Sequence, residues 1–295
     1  MARKILVMSN CQTGGLRAAL AGMLPDDEVE ALAWLGAEPP GLRPKLAEAD
    51  AWVCSIPREQ AEALAAEVGS SAQIIVVPTV WFSAFHPDQT PILLRAGGEL
   101  EGAVGPYHSK IVVWGWQHGL DAEQVLTFFR PDVFRTLGYF DAWTQAVAVL
   151  REIFEPTDID FGRWFLPLGR RGSFMLTNNH PRVDALVELA RQVAAELGAD
   201  PALVAYGWEQ VVPDGLLATS VVWPLYPGIA DTLDLPGAYV WRLESGELIG
   251  LEAFVTRSLA SYRDLDPATI DTAHIDVDPR FDAALLPALA AAGGR

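Results

Sequence analysis

Short apolar runs and helical patterns alternate through the first hundred residues. Residues 5–8, 51–56 and 73–77 have the length and apolar content of buried strands, and residues 29–35 alternate as a strand does. Between these runs, residues 16–24 and 58–68 have helical spacing. Strand–helix–strand units imply right-handed crossovers, so the pattern predicts an α/β fold with an open, mostly parallel sheet. The proline-rich stretch 38–44 is predicted to be loop.

From about residue 106 the spacing becomes helical. The pattern predicts helices over residues 109–118, 121–129, 131–137, 142–154 and 182–197, with Ser109 as an N-cap and Gly119 as a stop. Residues 168–177 resemble an apolar stretch before a loop, and residues 208–241 mix β-branched, aromatic and proline positions without a clear period. We expect an α/β half over residues 1–105 and a helix-rich half over residues 106–295, packed together or forming one domain.

Composition narrows the class of protein. The 295 residues carry 21 basic and 38 acidic side chains, a formal net charge of −17 that disfavours nucleic acid and anionic membrane surfaces. Two cysteines without a Cys/His cluster predict neither a disulfide framework nor a metal site. The apolar runs are far shorter than the roughly 20 residues of a membrane span, and the first is too short for a signal peptide. We therefore expect a reduced, cytoplasmic protein.

The turn after the first strand carries the first candidate chemistry. Asn10, Cys11 and Gln12 follow that strand, and Gly14 and Gly15 lead into a helix. Ligands of open α/β sheets bind beyond the carboxyl ends of the strands. A helix amino end would stabilise a thiolate, its N–H groups could hold an oxyanion, and the glycines would let a ligand approach the backbone. The alternative is that Cys11 is a small buried apolar residue.

Two further stretches place an imidazole beside a polar partner. His86 and Asp88 lie across a proline, and could act as a general base and its orienting group. His108 precedes the predicted N-cap Ser109, at a second helix amino end. Capping, or hydrogen bonding to the backbone, would explain each pattern without any catalytic role.

Polar loops in the second half supply possible binding groups. In "TNNHPR", Asn178 and Asn179 offer amide donors and His180 opens the helix that follows, although a cap at Asn179 explains most of this pattern. Arg170 and Arg171 could hold phosphates, or could be an ordinary exposed pair. No GxGxxG, GxxxxGK[ST] or GxSxG sequence is present, which argues against dinucleotide-binding, P-loop and nucleophile-elbow chemistry.

Together these stretches resemble a known family. "MSNCQTGGL", "FHPDQTPI", "GPYHSKIVVWGWQHGL", "FMLTNNHPRVDALVELA" and "VVWPLYPGIADTLDLPGAYVW" occur in the order typical of the WcbI-like polysaccharide biosynthesis proteins of bacteria. The resemblance covers residues from about 4 to about 255. It departs from the expected pattern at Lys110, where a small or apolar residue is expected. It implies an acetyltransferase that uses coenzyme A and O-acetylates a sugar of a capsular polysaccharide.

The resemblance suggests roles for the candidate residues. Cys11 would accept the acyl group or lie beside the thioester, His86 or His108 would act as base, and Asp88 would orient the imidazole. Three further groups are predicted: an oxyanion hole near Gln12 and Asn10; substrate contacts at Ser109, Asn179 and His180; and coenzyme A contacts at Gly14, Gly15, Arg170 and Arg171. A thioesterase or carbohydrate esterase would use the same groups with water as acceptor. A non-catalytic ligand-binding protein is the third possibility.

Overall fold

The computed structural model describes residues 2–293. Its strands are β1 Lys4–Ser9, β2 Glu28–Ala33, β3 Ala51–Cys54, β4 Gln73–Val76, β5 Gln89–Pro91, β6 Leu93–Leu94, β7 Ala103–Ser109, β8 Met175–Thr177, β9 His180–Pro181, β10 Val240–Arg242, β11 Leu248–Gly250 and β12 Ile270–Asp271. Its α-helices are α1 Thr13–Met23, α2 Leu42–Glu48, α3 Arg58–Glu67, α4 Lys110–Gln117, α5 Ala122–Leu126, α6 Pro131–Thr136, α7 Ala142–Phe154, α8 Phe161–Leu168, α9 Val183–Glu196, α10 Pro201–Ala205, α11 Gly215–Thr219, α12 Pro227–Thr232, α13 Leu251–Ser261, α14 Ala273–Asp276 and α15 Pro279–Gly293.

The chain divides into two compact units, each assembled from three segments. The first comprises the residues up to Phe82, Val147–Met175 and Asn179–Ala218. The second comprises Ser83–Ala146, Leu176–Asn178 and the chain from Thr219 onward. A division into halves at residue 105 stays a prediction about domain organisation.

The first unit is built on a four-stranded parallel sheet in the order β2–β1–β3–β4. This confirms the predicted α/β class with a parallel sheet near the N-terminus. Side chains of a strand point alternately to opposite faces. Leu6, Met8, Trp52 and Cys54 accordingly share one apolar cluster with residues of α2 and α3. The carboxyl end of β1 leads directly into the turn that carries Cys11.

Two local predictions for this unit were wrong. The stretch 38–44 was expected to be loop throughout, but α2 begins at Leu42 and contains Pro44 in its first turn. A proline there loses no intrahelical hydrogen bond, so it is compatible with a helix start. The stretch from residue 168 was expected to open an apolar run, whereas Leu168 ends a helix, α8, that the sequence analysis missed.

The second unit is rich in helices and aromatic side chains. Its small antiparallel pairs are β5–β7, β6–β12 and β10–β11. The predicted N-cap is confirmed, because the Ser109 hydroxyl accepts from the Val112 amide at 3.2 Å. The predicted stop is confirmed as well, since Gly119 has a φ of +68° just after α4. In its core, the rings of Trp241 and Phe254 stack with their centroids 4.0 Å apart.

Every helix within residues 2–293 falls short of the length and apolarity needed to cross a membrane. Over the same residues, no cluster of three or more His, Cys, Asp and Glu side chains is arranged to hold a metal ion.

Candidate active site

The Cys11 turn is held by a compact set of local hydrogen bonds. The Asn10 side-chain oxygen accepts from the Gln12 amide at 3.1 Å, an Asx turn. The Thr13 hydroxyl donates to the Asn10 carbonyl at 2.7 Å and accepts from the Ser9 amide at 3.0 Å. These bonds fix the backbone around Cys11, whose side chain is exposed. They also occupy the Gln12 N–H, which the sequence analysis had assigned to an oxyanion.

The Cys11 thiol is not activated in the way the sequence suggested. Partial burial is the largest influence on its pKa and raises it, and a hydrogen bond from its own backbone offsets only part of this rise. This effect of burial is opposite in direction to the thiolate stabilisation expected from a helix amino end. Cys54, at the end of β3, is fully buried, and burial raises the pKa of its thiol to about 12.

Gln12 ties three chain segments together through its side chain. Its amide nitrogen donates to the Val80 carbonyl at 3.0 Å and to the Asn179 carbonyl at 3.3 Å. Its amide oxygen accepts from the Val80 N–H at 3.2 Å. The backbone of Asn179 is thus brought to the Cys11 turn. His180 follows in β9, and burial lowers the pKa of its imidazole.

The two glycines of the turn have different surroundings. A methyl group added at Gly14 would meet no atom within 4 Å, so the space above this residue is open. A methyl group at Gly15 would lie 2.5 Å from a terminal carbon of Leu186 in α9. Gly14 therefore fits the predicted close approach of a ligand, whereas Gly15 permits close packing of α1 on α9. The N-cap residue Gln12 makes no side-chain capping bond to α1.

Arg171 belongs to a network of ion pairs. Its guanidinium lies 3.3 Å from the Glu188 carboxylate and 3.7 Å from that of Glu209. Arg191 contacts the same two carboxylates at 3.5 and 2.9 Å. Burial raises the pKa of Glu188, and the two arginines oppose this shift. Arg171 could bind a phosphate only by weakening this network, while Arg170 beside it is exposed.

In the second unit, His86 lies on a tight turn, and one nitrogen of its ring faces a carbonyl. The His86 amide donates to Ser83, and the Gln89 amide closes the turn by donating to the His86 carbonyl at 3.0 Å. Nδ1 of His86 lies 3.3 Å from the Pro224 carbonyl oxygen. A carbonyl can only accept, so Nδ1 carries the proton and Nε2 holds the lone pair of the neutral ring.

Asp88 is fully buried and accepts from four donors. Oδ1 accepts from the Tyr139 hydroxyl at 2.8 Å and from the Ile111 amide at 3.1 Å, and Oδ2 accepts from the Tyr226 hydroxyl at 2.9 Å. The Ser109 hydroxyl also hydrogen-bonds to this carboxylate. Burial raises the pKa of Asp88, although all four donors oppose the shift. These contacts make Asp88 the centre of a buried polar cluster, while the group that faces the His86 ring at Nδ1 is a carbonyl.

His108 has both ring nitrogens engaged inside the second unit. Nε2 donates to the Leu100 carbonyl at 2.9 Å, and Nδ1 therefore accepts from the Tyr262 hydroxyl at 2.6 Å. The ring is buried, and burial lowers its pKa. Such a histidine is neutral, and both of its ring nitrogens already make hydrogen bonds within the fold. Lys110, the departure from the family pattern, donates to the Pro87 carbonyl at 2.7 Å, and burial lowers its pKa.

The family model described as polysaccharide biosynthesis enzyme WcbI matches residues 4–202. This chain belongs to the WcbI family.

A solved structure of WcbI, described as a novel polysaccharide biosynthesis enzyme, has the same fold as this WcbI-family chain. The two share 15% sequence identity with a TM-score of 0.74, over 98% of each chain. That structure is described as the native protein without the disulfide bond between coenzyme A and one of its cysteines. A search of curated proteins gives no match.

Several contacts in this WcbI-family protein were not assigned from its sequence. The bonds of Gln12 to Val80, of His86 to Pro224, and of Asp88 to Tyr139 and Tyr226 join residues 51 to 138 positions apart. Pro224 and Tyr226 lie in "VVWPLYPG", one of the stretches that carried the resemblance. That stretch was the available signal, although no period within it identified the two residues.

Proposed function

We propose that this protein transfers an acyl group, acetyl in the simplest case, from coenzyme A to a carbohydrate hydroxyl in the biosynthesis of a bacterial surface polysaccharide. Membership of the WcbI family supports the polysaccharide part of the proposal. The WcbI structure described in relation to a coenzyme A–cysteine disulfide supports the donor part. In this chain, the observation that carries the proposal is the exposed Cys11 at the carboxyl end of β1, beside the open space over Gly14.

Cys11 has two possible parts in this reaction. As a nucleophile it would attack the thioester carbon, lose its proton to a base and release coenzyme A as a thiol. A sugar hydroxyl would then take the acyl group from Cys11 and restore the thiol. Alternatively, the hydroxyl attacks the thioester directly while Cys11 lies beside the coenzyme A sulfur. Because burial raises the pKa of Cys11, the first route needs a base.

His86 is the proposed base. Its Nδ1 faces the Pro224 carbonyl, so the neutral ring carries its lone pair on Nε2, as a general base requires. His108 is the weaker candidate, since Leu100 and Tyr262 occupy both of its nitrogens. Replacement of His86 by Gln is expected to lower the rate of coenzyme A release at least 100-fold.

Mass spectrometry of the intact protein tests the donor side directly. Incubation with oxidised coenzyme A should add one coenzyme A to the wild type and to Cys54→Ser, but none to Cys11→Ser. A reductant should remove the addition. Cys54→Ser is a matched control, because Cys54 is the other cysteine of the chain and is buried. Equal labelling of Cys11→Ser would refute the assignment of Cys11.

The transfer itself is followed by chromatographic detection of free coenzyme A, with acetyl-CoA and a panel of methyl glycosides. Release that depends on a sugar and yields an O-acetylated glycoside supports the proposal. Equal release without a sugar would identify a thioesterase. If Cys11→Ser retains full transfer, direct attack by the hydroxyl replaces the covalent route.

A second candidate, a non-catalytic protein that binds coenzyme A, is favoured by one observation. Burial raises the pKa of the Cys11 thiol, which lowers the share of the nucleophilic thiolate. Disulfide formation at Cys11 without release of coenzyme A from acetyl-CoA under any condition would establish this candidate.

A further inference from the structure

We infer that Asn178 is a positioning residue for His86, which it reaches through the backbone of the turn 86–89. The inference rests on the proposed role of His86 as a base. Asn178 is 4% exposed and lies next to β8, far from His86 in the sequence. Its side-chain nitrogen donates to the carbonyl oxygens of His86 at 3.3 Å and Gln89 at 3.4 Å.

The contact is reciprocal. The backbone N–H of Asn178 donates to the side-chain oxygen of Gln89 at 2.7 Å. The side-chain amide of Asn178 faces two carbonyl oxygens, so its NH₂ group must point toward them. The side-chain amide of Gln89 faces the backbone N–H of Asn178, so its oxygen must point toward that N–H. One side of the turn is therefore bound to a single residue through three hydrogen bonds.

Lys110 holds the turn at its other two residues. Its ammonium donates to the Pro87 carbonyl at 2.7 Å, and its backbone N–H donates to the Asp88 carbonyl at 2.9 Å. All four carbonyls of the turn thus accept a hydrogen bond from Asn178 or Lys110. Carbonyl groups of turns at a protein surface commonly accept hydrogen bonds from water. Hydrogen bonds from protein groups to all four carbonyls are therefore typical of a buried, constrained turn.

This fixation matters because the ring of His86 projects from this turn. Nδ1 lies 3.3 Å from the Pro224 oxygen, a contact that requires one direction of the ring. That direction, and with it the tautomer, depends in part on the backbone from which the ring projects. Loss of the Asn178 amide should let the ring leave the Pro224 carbonyl for part of the time.

Nitrogen NMR of protein labelled with ¹⁵N-histidine measures the tautomer without any substrate. The signal of His86 is assigned by its disappearance in His86→Gln. In the wild type, above the pKa of the ring, we expect a proton on Nδ1. In Asn178→Ala we expect shifts averaged between the two tautomers, together with about a tenfold lower kcat for release of coenzyme A and a KM for acetyl-CoA within about twofold of the wild type.

Gln117→Ala is the matched control. The side-chain nitrogen of Gln117 also makes two hydrogen bonds, at 3.0 Å to Thr272 and 2.8 Å to Asp276, but neither involves the turn. We expect the wild-type tautomer and kcat in this variant. Asn178→Ser provides a second test if Asn178→Ala does not fold.

A proton on Nε2 of wild-type His86 would overturn the inference. An unchanged tautomer in the Asn178 variants, or a change of equal size in Gln117→Ala, would do the same. If both Asn178 variants fail to fold, the role of Asn178 is structural and the inference is wrong. A protein that shows the expected tautomers but never releases coenzyme A would refute the proposed function alone.

Discussion

Alanine substitution at the two neighbouring glycines of α1 should have opposite effects on stability. From the sequence, Gly14 and Gly15 are both predicted to let a ligand approach the backbone. In the structure, a methyl group at Gly14 enters open space, whereas one at Gly15 lies 2.5 Å from Leu186. Leu186 is buried, with 2% of its surface exposed, so it has little room to move.

The expected magnitudes follow from two opposing terms. Replacing glycine by alanine in a helix stabilises it by about 0.5–1 kcal/mol. Forcing an extra methyl group into a packed core costs about 1–3 kcal/mol. Gly14→Ala should therefore raise the free energy of unfolding by up to about 1 kcal/mol, since only the first term applies. Gly15→Ala should lower it by about 1–2 kcal/mol, since the second term exceeds the first.

Urea denaturation followed by circular dichroism measures both values. The double variant Gly15→Ala/Leu186→Ala completes a thermodynamic cycle, in which removal of the Leu186 side chain should recover about 1–2 kcal/mol of coupling energy. Binding of coenzyme A, followed by calorimetry, should weaken in Gly14→Ala despite its greater stability. Equal destabilisation by the two alanines, or no coupling between Gly15 and Leu186, would refute this account of the α1–α9 contact.

Three further predictions concern polar contacts of the fold. His108→Gln should lower the free energy of unfolding by about 1–3 kcal/mol in urea titrations, because the buried Tyr262 hydroxyl and the half-buried Leu100 carbonyl lose their hydrogen bonds. Arg3 lowers the pKa of Asp27, so this carboxylate stabilises the fold above its unfolded pKa, and that stability is lost as the pH falls through the lower folded pKa. Asp27→Asn should accordingly destabilise the protein by about 1 kcal/mol at neutral pH, a value reduced for the exposure of Arg3. In strong acid the same substitution should have almost no effect on stability. Thermal melts at both pH values measure the difference. Arg171→Met should destabilise the protein by about 1 kcal/mol in urea, a value reduced for the exposure of Arg171, because Glu188 loses one of its two arginine partners; no measurable loss would contradict the network.

Much of the architecture followed from the local pattern of the sequence. The parallel sheet was predictable because each of its strands is a short apolar or alternating run separated from the next by a turn or helix signal. The cap at Ser109 and the stop at Gly119 were predictable because each depends on residues within a few positions. Helix α8 was missed because its eight residues include Pro167, a helix breaker tolerated here near the helix end.

The candidate site likewise has some features that the local sequence determined and others that only the tertiary structure decided. The sequence by itself determined that Cys11 follows a buried strand and that His86 lies on a proline-containing turn, since both facts are local. Only the tertiary structure decided which polar groups already have a hydrogen-bond partner. The side-chain amide of Gln12 bonds to Val80, and the two ring nitrogens of His108 bond to Leu100 and Tyr262. Hydrogen-bond partners far apart in the sequence leave no periodic signal. The pKa of a thiol or imidazole depends on burial, which only packing determines.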